Sequence, residues 1–318
     1  VAEIQVVGRR QRPGADRATM QRRAACLATI RAFLAERGVL EVQPPCLGPA
    51  AMEPALESLA VPGAAADGGP LYLQTSPESA MKRLLAAGSG DIYYLGPAWR
   101  AGERGRWHAV ELTLLEWYRV GLDHHQLMDE VAALVAAVGG ERPVERLSYA
   151  EAFRAHAGID PLAASEAEIA AALHAAGIEL QGAAPGRDAA LDLLLSHTVG
   201  PALGRGTITL LHGFPASQAA LARLDDADPR TARRFECFVD GLEIANGYHE
   251  LTDPAAQRAR FEAEQAERRR AGQPVYALDE ALLAALEAGL PECAGVALGV
   301  DRLVAVAVGA ASLAQVRV

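Results

Sequence analysis

The chain has 318 residues, 51% of them hydrophobic and 22% charged, which is enough to bury a sizeable core and too apolar for a disordered polypeptide. Its net charge of −10 argues against a protein that lives by gripping nucleic-acid backbone. The most apolar stretch, Leu303 to Val308, is far too short to span a bilayer and no secretory leader opens the chain, so a cytoplasmic protein with no membrane partner is expected.

Residues 1–18 read as a basic arm, with Arg9, Arg10 and Arg12 and no periodicity. From Met20 to Arg37, Ala24, Leu27, Ile30, Phe33 and Leu34 recur at helical spacing, and Gly38 stops the helix. Val39 to Val42 reads as a short strand ended by Pro44-Pro45, residues 60–70 as a loop or hairpin tip, and Leu71 to Gln74 as a strand. Ser76-Pro77-Glu78 opens a helix, with proline early as helix starts favour. Ile92–Leu95 and Glu111–Val120 read as strands around a polar, glycine-containing loop, and Gln126–Val138 as an amphipathic helix.

Residues 148–200 look mostly helical, with breaks at Pro161 and around Gly182–Gly186. Thr207–Leu211 and Phe235–Val239 read as strands, and Asp240-Gly241 is a two-residue hairpin signal. Two helices are expected at Pro254–Ala271 and Asp279–Ala288, then a strand at Val296–Val300 running into a last helix from Asp301. Hairpin-linked strands with helices in separate blocks predict an α+β fold, an antiparallel sheet flanked by helices. The expected organisation is an arm at 1–18 and one domain at 19–318 with a helical insertion near 150–200. Cys26, Cys46, Cys237 and Cys293 show neither a C-x-x-C pair nor zinc-finger spacing, and read as buried thiols in a reducing compartment.

Three segments point to chemistry. Along Glu111 to Tyr118, strand alternation puts Leu112, Leu114, Glu116 and Tyr118 on one face and Glu111, Thr113, Leu115 and Trp117 on the other. A carboxylate among apolar neighbours needs a partner. Either Glu116 makes a structural ion pair with an internal arginine, or it receives a substrate ammonium with Tyr118 beside it. Next, Glu243 and Glu250 flank Asn246-Gly247, which reads as a turn folding the two acids together. Two carboxylates plus phosphate oxygens suit Mg²⁺, although solvated surface acids have the same spacing. Finally, Gly295 to Arg302 is a glycine-containing strand feeding a helix that starts Asp301-Arg302. Glycine lets a ligand approach the backbone, and Arg302 suits a phosphate or a base, or a helix-start ion pair.

Taken together, these segments resemble the three motifs of the class II aminoacyl-tRNA synthetases. Gly38 to Pro45 is similar to the first motif, Arg100 to Tyr118 to the second and Gly295 to Arg302 to the third. Ser76-Pro77-Glu78, Met81-Lys82-Arg83, Leu115 to Tyr118 and Glu243 to Gly247 narrow the resemblance to the lysyl branch. Phe214 to Ala219, Gly247 to Asp253 and Cys293 to Leu303 resemble the truncated lysyl-tRNA synthetase paralogues that attach (R)-β-lysine to a lysine side chain of elongation factor P. Only some 20 residues precede the first motif helix, so no anticodon-binding domain is expected.

The resemblance implies a homodimer that uses ATP and Mg²⁺, takes (R)-β-lysine or lysine, modifies elongation factor P and leaves tRNA alone. It implies that Arg100 meets the α-phosphate and that Arg302 packs on adenine and reaches the γ-phosphate, these two being catalytic. Further ATP contacts are implied for Ala101, Gly102, Glu103, His108, Ala109, Leu112, Glu243, Ile244 and Gly299. Glu243 and Glu250 would hold Mg²⁺. Ser76, Pro77 and Glu78 would meet the amine nearer the carboxylate, with Glu250 near the amino acid. Glu116 and Tyr118 would hold the distal ammonium, and Asn246 and Ala297 would complete the substrate pocket. Ala297 stands where ordinary lysyl enzymes carry glycine, which fits a β-amino acid.

The sequence departs from the family on the adenine side. Arg100-Ala101-Gly102 stands for Arg-Asn-Glu, and His108-Ala109-Val110-Glu111-Leu112-Thr113 for His-Asn-Pro-Glu-Phe-Thr. Weaker ATP binding is expected, with Glu103 placed to compensate. A compact lysyl-tRNA synthetase and a non-catalytic binding protein are the alternative functions. His108 and His249 lie in motif segments and are expected near nucleotide or substrate. His124, His125, His156, His174, His197 and His212 are expected to be solvated or packed.

Overall fold

The computed structural model describes residues 14–49, 56–180 and 184–317. Arg9, Arg10 and Arg12 of the basic arm, and part of the break around Gly182–Gly186, lie outside the described residues.

Helix α1 (Arg17–Ala35) begins where the Asp16 side chain accepts the Thr19 N–H at 2.8 Å, three residues before the sequence reading starts it. Gly38, at φ 72°, turns the chain out. The short strands β1 (Leu40–Glu41), β2 (Leu47–Gly48), β3 (Ala60–Val61) and β4 (Leu71–Leu73) lead into α2 (Glu78–Ala86). Next come β5 (Ile92–Trp99), β6 (Glu111–Val120) and α3 (His124–Gly139), whose first turn is closed by a reciprocal Asp123–Gln126 capping box.

Strand β7 (Val144–Ser148) precedes α4 (Tyr149–His156), α5 (Glu166–Ala175) and α6 (Arg187–Leu194). These three helices share a core of their own, built on Tyr149, Phe153, Ile169, Leu173, Leu191 and Leu194 and closed by Phe214. Phe214 lies on β8 (Ile208–Pro215), which is followed by β9 (Thr231–Val239), β10 (Leu242–His249), α7 (Pro254–Arg270), α8 (Glu280–Gly289), β11 (Cys293–Gly299) and α9 (Val300–Val308).

The main sheet has eight strands in the order β1-β5-β6-β11-β10-β9-β8-β7. Its interior pairs are antiparallel, while β1 with β5 and β7 with β8 are parallel at the two edges. β2, β4 and β3 form a separate antiparallel sheet. Apolar residues of α1, α3 and α9 cover one face, where Ile30, Leu34, Leu127, Val131, Leu303 and Val304 pack with Leu115, Trp117, Val296 and Leu298 of the strands. That leaves the opposite face of β6, β11 and β10 to form a cavity floor.

Several boundaries moved for physical reasons. β5 runs on to Trp99, through Gly96-Pro97, because β1 pairs only with Ile92 and Tyr93 and leaves proline an unpaired edge. β8 continues to Pro215 by a bulge at Gly213, φ 70°. The charged edge strand β7 was not recognised. Asn246-Gly247 is not a turn: both residues lie inside β10, paired with β9 and β11. Glycine is there for room, since a Cβ on Gly247 would lie 2.5 Å from the Phe235 ring.

Candidate active site

A cavity of about 280 Å³ opens over β6, β11 and β10. The start of α2 and the loop between β5 and β6 form its sides, and the start of α9 closes one end. The face of β6 that carries Leu112, Leu114, Glu116 and Tyr118 supplies its floor, while Leu115 and Trp117 point into the core, as alternation requires.

One end is built for cations. Glu116 is only 2% exposed. The Ser76 hydroxyl donates to its Oε2 and the Tyr118 phenol to its Oε1, both at 2.7 Å. Burial, then the Glu116 charge, holds the Tyr118 phenol well above its ordinary pKa, so it remains a donor. Ser76 Oγ also accepts the Glu78 N–H at 3.0 Å, which groups Ser76 with Glu116 while linking it to the first turn of α2. Glu78 and Glu250 line the same end, and both reach Lys82 Nζ, at 2.5 and 2.6 Å. Burial works against the Lys82 charge, but Glu250 and Glu78 outweigh it and hold the ammonium protonated.

The other end is built for anions. Arg302 is splayed across it, donating to the Glu243 carbonyl at 2.9 Å and the Trp107 carbonyl at 3.2 Å and lying 3.0 Å from His108 Nε2. Asp301 anchors this helix start, accepting the Thr113 N–H at 2.9 Å and pairing with Arg23 at 2.7 Å. Arg100 is lightly held, by the Thr75 carbonyl at 3.4 Å and Glu103 at 3.8 Å, which leaves donors for an incoming phosphate. Gly299 meets only the Arg302 side chain, at 3.6 Å or more, so the strand is bare toward the cavity there.

Ser76, Glu78, Arg100, Glu103, His108, Ala109, Leu112, Glu116, Tyr118, Glu243, Ile244, Asn246, Glu250, Ala297, Gly299 and Arg302 come together on this cavity. Pro77, Ala101 and Gly102 do not line it. Pro77 is the N-cap of α2, and Ala101-Gly102 is a turn beside Glu57, with the Ala101 N–H on the Glu57 carbonyl at 2.8 Å and Gly102 at φ 76°. His249 does not line it either; its Nε2 lies 3.0 Å from Glu292. Lys82, Trp107, Thr113, Tyr248 and Gly295 belong to the site or its backing and were missed as site residues. Tyr248 was legible, since it alternates with Asn246 and Glu250 along β10. Gly295 is required by packing alone, because a Cβ there would lie 2.3 Å from Tyr118 Cε1 and 2.5 Å from Glu250 Oε1.

Glu243 and Glu250, expected as a pair, both line the cavity. Glu250 pairs with Lys82, whereas the charge that acts most strongly on Glu236, after burial, is that of Glu243, and together they push Glu236 up to about 7 against Arg234. Glu236 lies opposite Asn246 in register and so faces the cavity side of the sheet. No cluster of three metal-ligating side chains occurs among the described residues. Glu243 and Glu250 are the two of these acids that line the cavity, and two carboxylates with substrate oxygens completing the shell is an arrangement that Mg²⁺ accepts. No helix among the described residues is long and apolar enough to cross a membrane.

Comparison with known proteins agrees with this geometry. The family model for tRNA synthetases class II (D, K and N) matches residues 11–318. The elongation factor P–(R)-β-lysine ligase of Vibrio cholerae serotype O1 is 47% identical over 302 residues, 93% of each chain. The enzyme of the same name from Yersinia enterocolitica is 47% identical over 312 residues, 96% of this chain and 95% of its own, and that from Salmonella gallinarum 46% identical over 311 residues, with the same coverage. With one cavity holding residues of the second and third motifs, and with similarity along nearly its whole length, the chain belongs to the class II tRNA synthetases of the D, K and N group.

Proposed function

We propose that the chain is an AMP-forming ligase that activates (R)-β-lysine, or lysine, with ATP and passes it to a lysine side chain of elongation factor P. The observation that carries this reading is the polarity of the cavity, with Arg100 and Arg302 at one end and buried acids at the other. Glu78 and Glu250, which share Lys82, and Glu116, which accepts from Ser76 and Tyr118, give that end the acids that suit the ammonium groups of a lysine isomer. The names of the relatives supply the isomer and the acceptor.

The chemistry is two acyl steps. A carboxylate oxygen of the amino acid attacks the α-phosphorus of ATP, the bond to the bridging oxygen breaks and pyrophosphate leaves. Arg100 is placed to stabilise the charge that grows on the α-phosphate, and Arg302 to hold the far end of the triphosphate. Glu116, oriented by Ser76 and Tyr118, takes the distal ammonium, and Glu78 and Glu250 take the nearer amine. Glu243 and Glu250 would hold an Mg²⁺ ion, which would neutralise phosphate charge. The amine of the acceptor lysine then attacks the adenylate carbonyl, forms the amide and releases AMP. The homodimer is proposed through the segment around Pro44-Pro45, which is flanked by the exposed Leu40 and Leu47.

The test is transfer of labelled (R)-β-lysine to purified elongation factor P, with lysine-specific tRNA in a parallel reaction. ATP-dependent label on the factor and none on tRNA is the expected result. Label on tRNA alone would replace the acceptor.

A further inference from the structure

We infer that Lys82 is a positioning residue for amino-acid activation, clamping Glu78 and Glu250 from behind the cavity wall so that the amine-binding end has a fixed shape and its two carboxylates share one cation. This rests on the ligase reading above. Lys82 is 2% exposed and does not line the cavity, whereas both of its partners do. It lies one helical turn from Glu78 on α2 and reaches across to Glu250, just past the end of β10, so one ammonium ties together two elements that each give one wall residue. Glu250 is 1% exposed and is confined from the other side by Gly295, where a Cβ would lie 2.5 Å from its Oε1. Two buried carboxylates this close to one another are costly without a shared cation.

The clamp is not needed to dock α2. Met81 and Leu85 already bury that helix against Phe261, Leu282 and Leu286, and the Ser79 hydroxyl bonds Asp279 at the start of α8. What Lys82 adds is charge. Without it Glu78 and Glu250 would face each other across the wall with their shared cation gone, at a site whose substrate brings its own ammonium groups.

The experiment is ATP–pyrophosphate exchange by full-length wild type, Lys82→Met and Lys82→Met/Glu250→Gln, varying amino acid and ATP separately, with melting curves on each. Lys82→Met is expected to raise the KM for the amino acid about tenfold or more. The KM for ATP should stay within about twofold. The double variant should recover part of the amino-acid affinity, because it removes a carboxylate along with the lost ammonium. A folded Lys82→Met with an unchanged amino-acid KM, or with equal losses for both substrates, overturns the inference. If Lys82→Met does not fold, Lys82→Arg keeps the charge and moves it, and the same selective rise in amino-acid KM is expected; an unchanged KM there also overturns it. A wild type that shows no exchange with any lysine isomer sinks the ligase reading itself, a result distinct from an active wild type whose variant behaves normally.

Discussion

Arg100 is the residue whose surroundings say most about the reaction. Among the described residues its guanidinium is held by the Thr75 carbonyl and a 3.8 Å approach to Glu103, which leaves donors for substrate. Losing one transition-state donor typically costs about 10²–10³ in rate. Arg100→Ala should lower amino-acid-dependent pyrophosphate exchange by that factor, and exchange at the wild-type rate would remove Arg100 from the chemistry. Ala297 sits in register between Glu116 on β6 and Asn246 on β10, so its methyl group borders the amine pocket. Ala297→Gly should improve use of α-lysine relative to (R)-β-lysine, and an unchanged ratio of kcat/KM values would mean that the methyl does not select the isomer. Glu116 and Tyr118 were legible in the sequence because strand alternation exposes a lone acid among apolar residues. Lys82 was not, because its partner Glu250 is 168 positions away and only the fold brings them together. The same holds for Glu236, whose nearness to Glu243 depends on strand register.

At the scale of elements, the sequence was read best where local chemistry decides. Asp240-Gly241 is the turn its dipeptide predicts, with φ 53° and 78°, as a two-residue hairpin with both residues left-handed requires. Gly241→Ala would put a methyl 2.7 Å from the Pro201 carbonyl oxygen at a left-handed position. It should destabilise the fold by about 1–3 kcal/mol, readable as a lower urea midpoint at constant slope. A midpoint equal to that of wild type would show that the β9–β10 turn relaxes freely. Asn246-Gly247 carries an equally strong turn signal and is nevertheless strand, because Phe235 packs where a Cβ would be. The periodicity of β10 was hidden further by the bulge between Glu243 and Ala245, which shifts register along the strand. β7 was missed for a different reason: at a sheet edge its outward residues are charged and one flank has no strand to match.

For the whole molecule, the α+β architecture followed from hairpins and segregated helices, but the parallel edge pairs did not, since nothing local distinguishes them. Charge buried in the fold makes stability depend on pH. Burial, then the neighbouring His125, depresses His124 to about 3, and His212 and His249 are also lowered, chiefly by burial. A histidine lowered from its unfolded value of about 6.5 stabilises the fold fully above that pH and progressively less as pH falls through and below it. Glu236 and Glu250, each raised to about 7 chiefly by burial, act in the opposite sense over this window, and Asp192 and Glu264 are raised as well. The contribution of His124 is read by difference: as pH falls from about 7 to about 5, the melting temperature of His124→Leu should rise relative to that of wild type. A variant with the wild-type slope would contradict this origin.

The central claim is that one cavity joins a lysine isomer to AMP although Gly102, Ala109 and Leu112 depart from the family on the adenine side. Amino-acid-dependent ATP–pyrophosphate exchange with (R)-β-lysine, α-lysine and no amino acid tests it most directly. Exchange that requires a lysine isomer, and is faster with (R)-β-lysine, is the predicted result. No exchange with either isomer, from a folded protein, would contradict it.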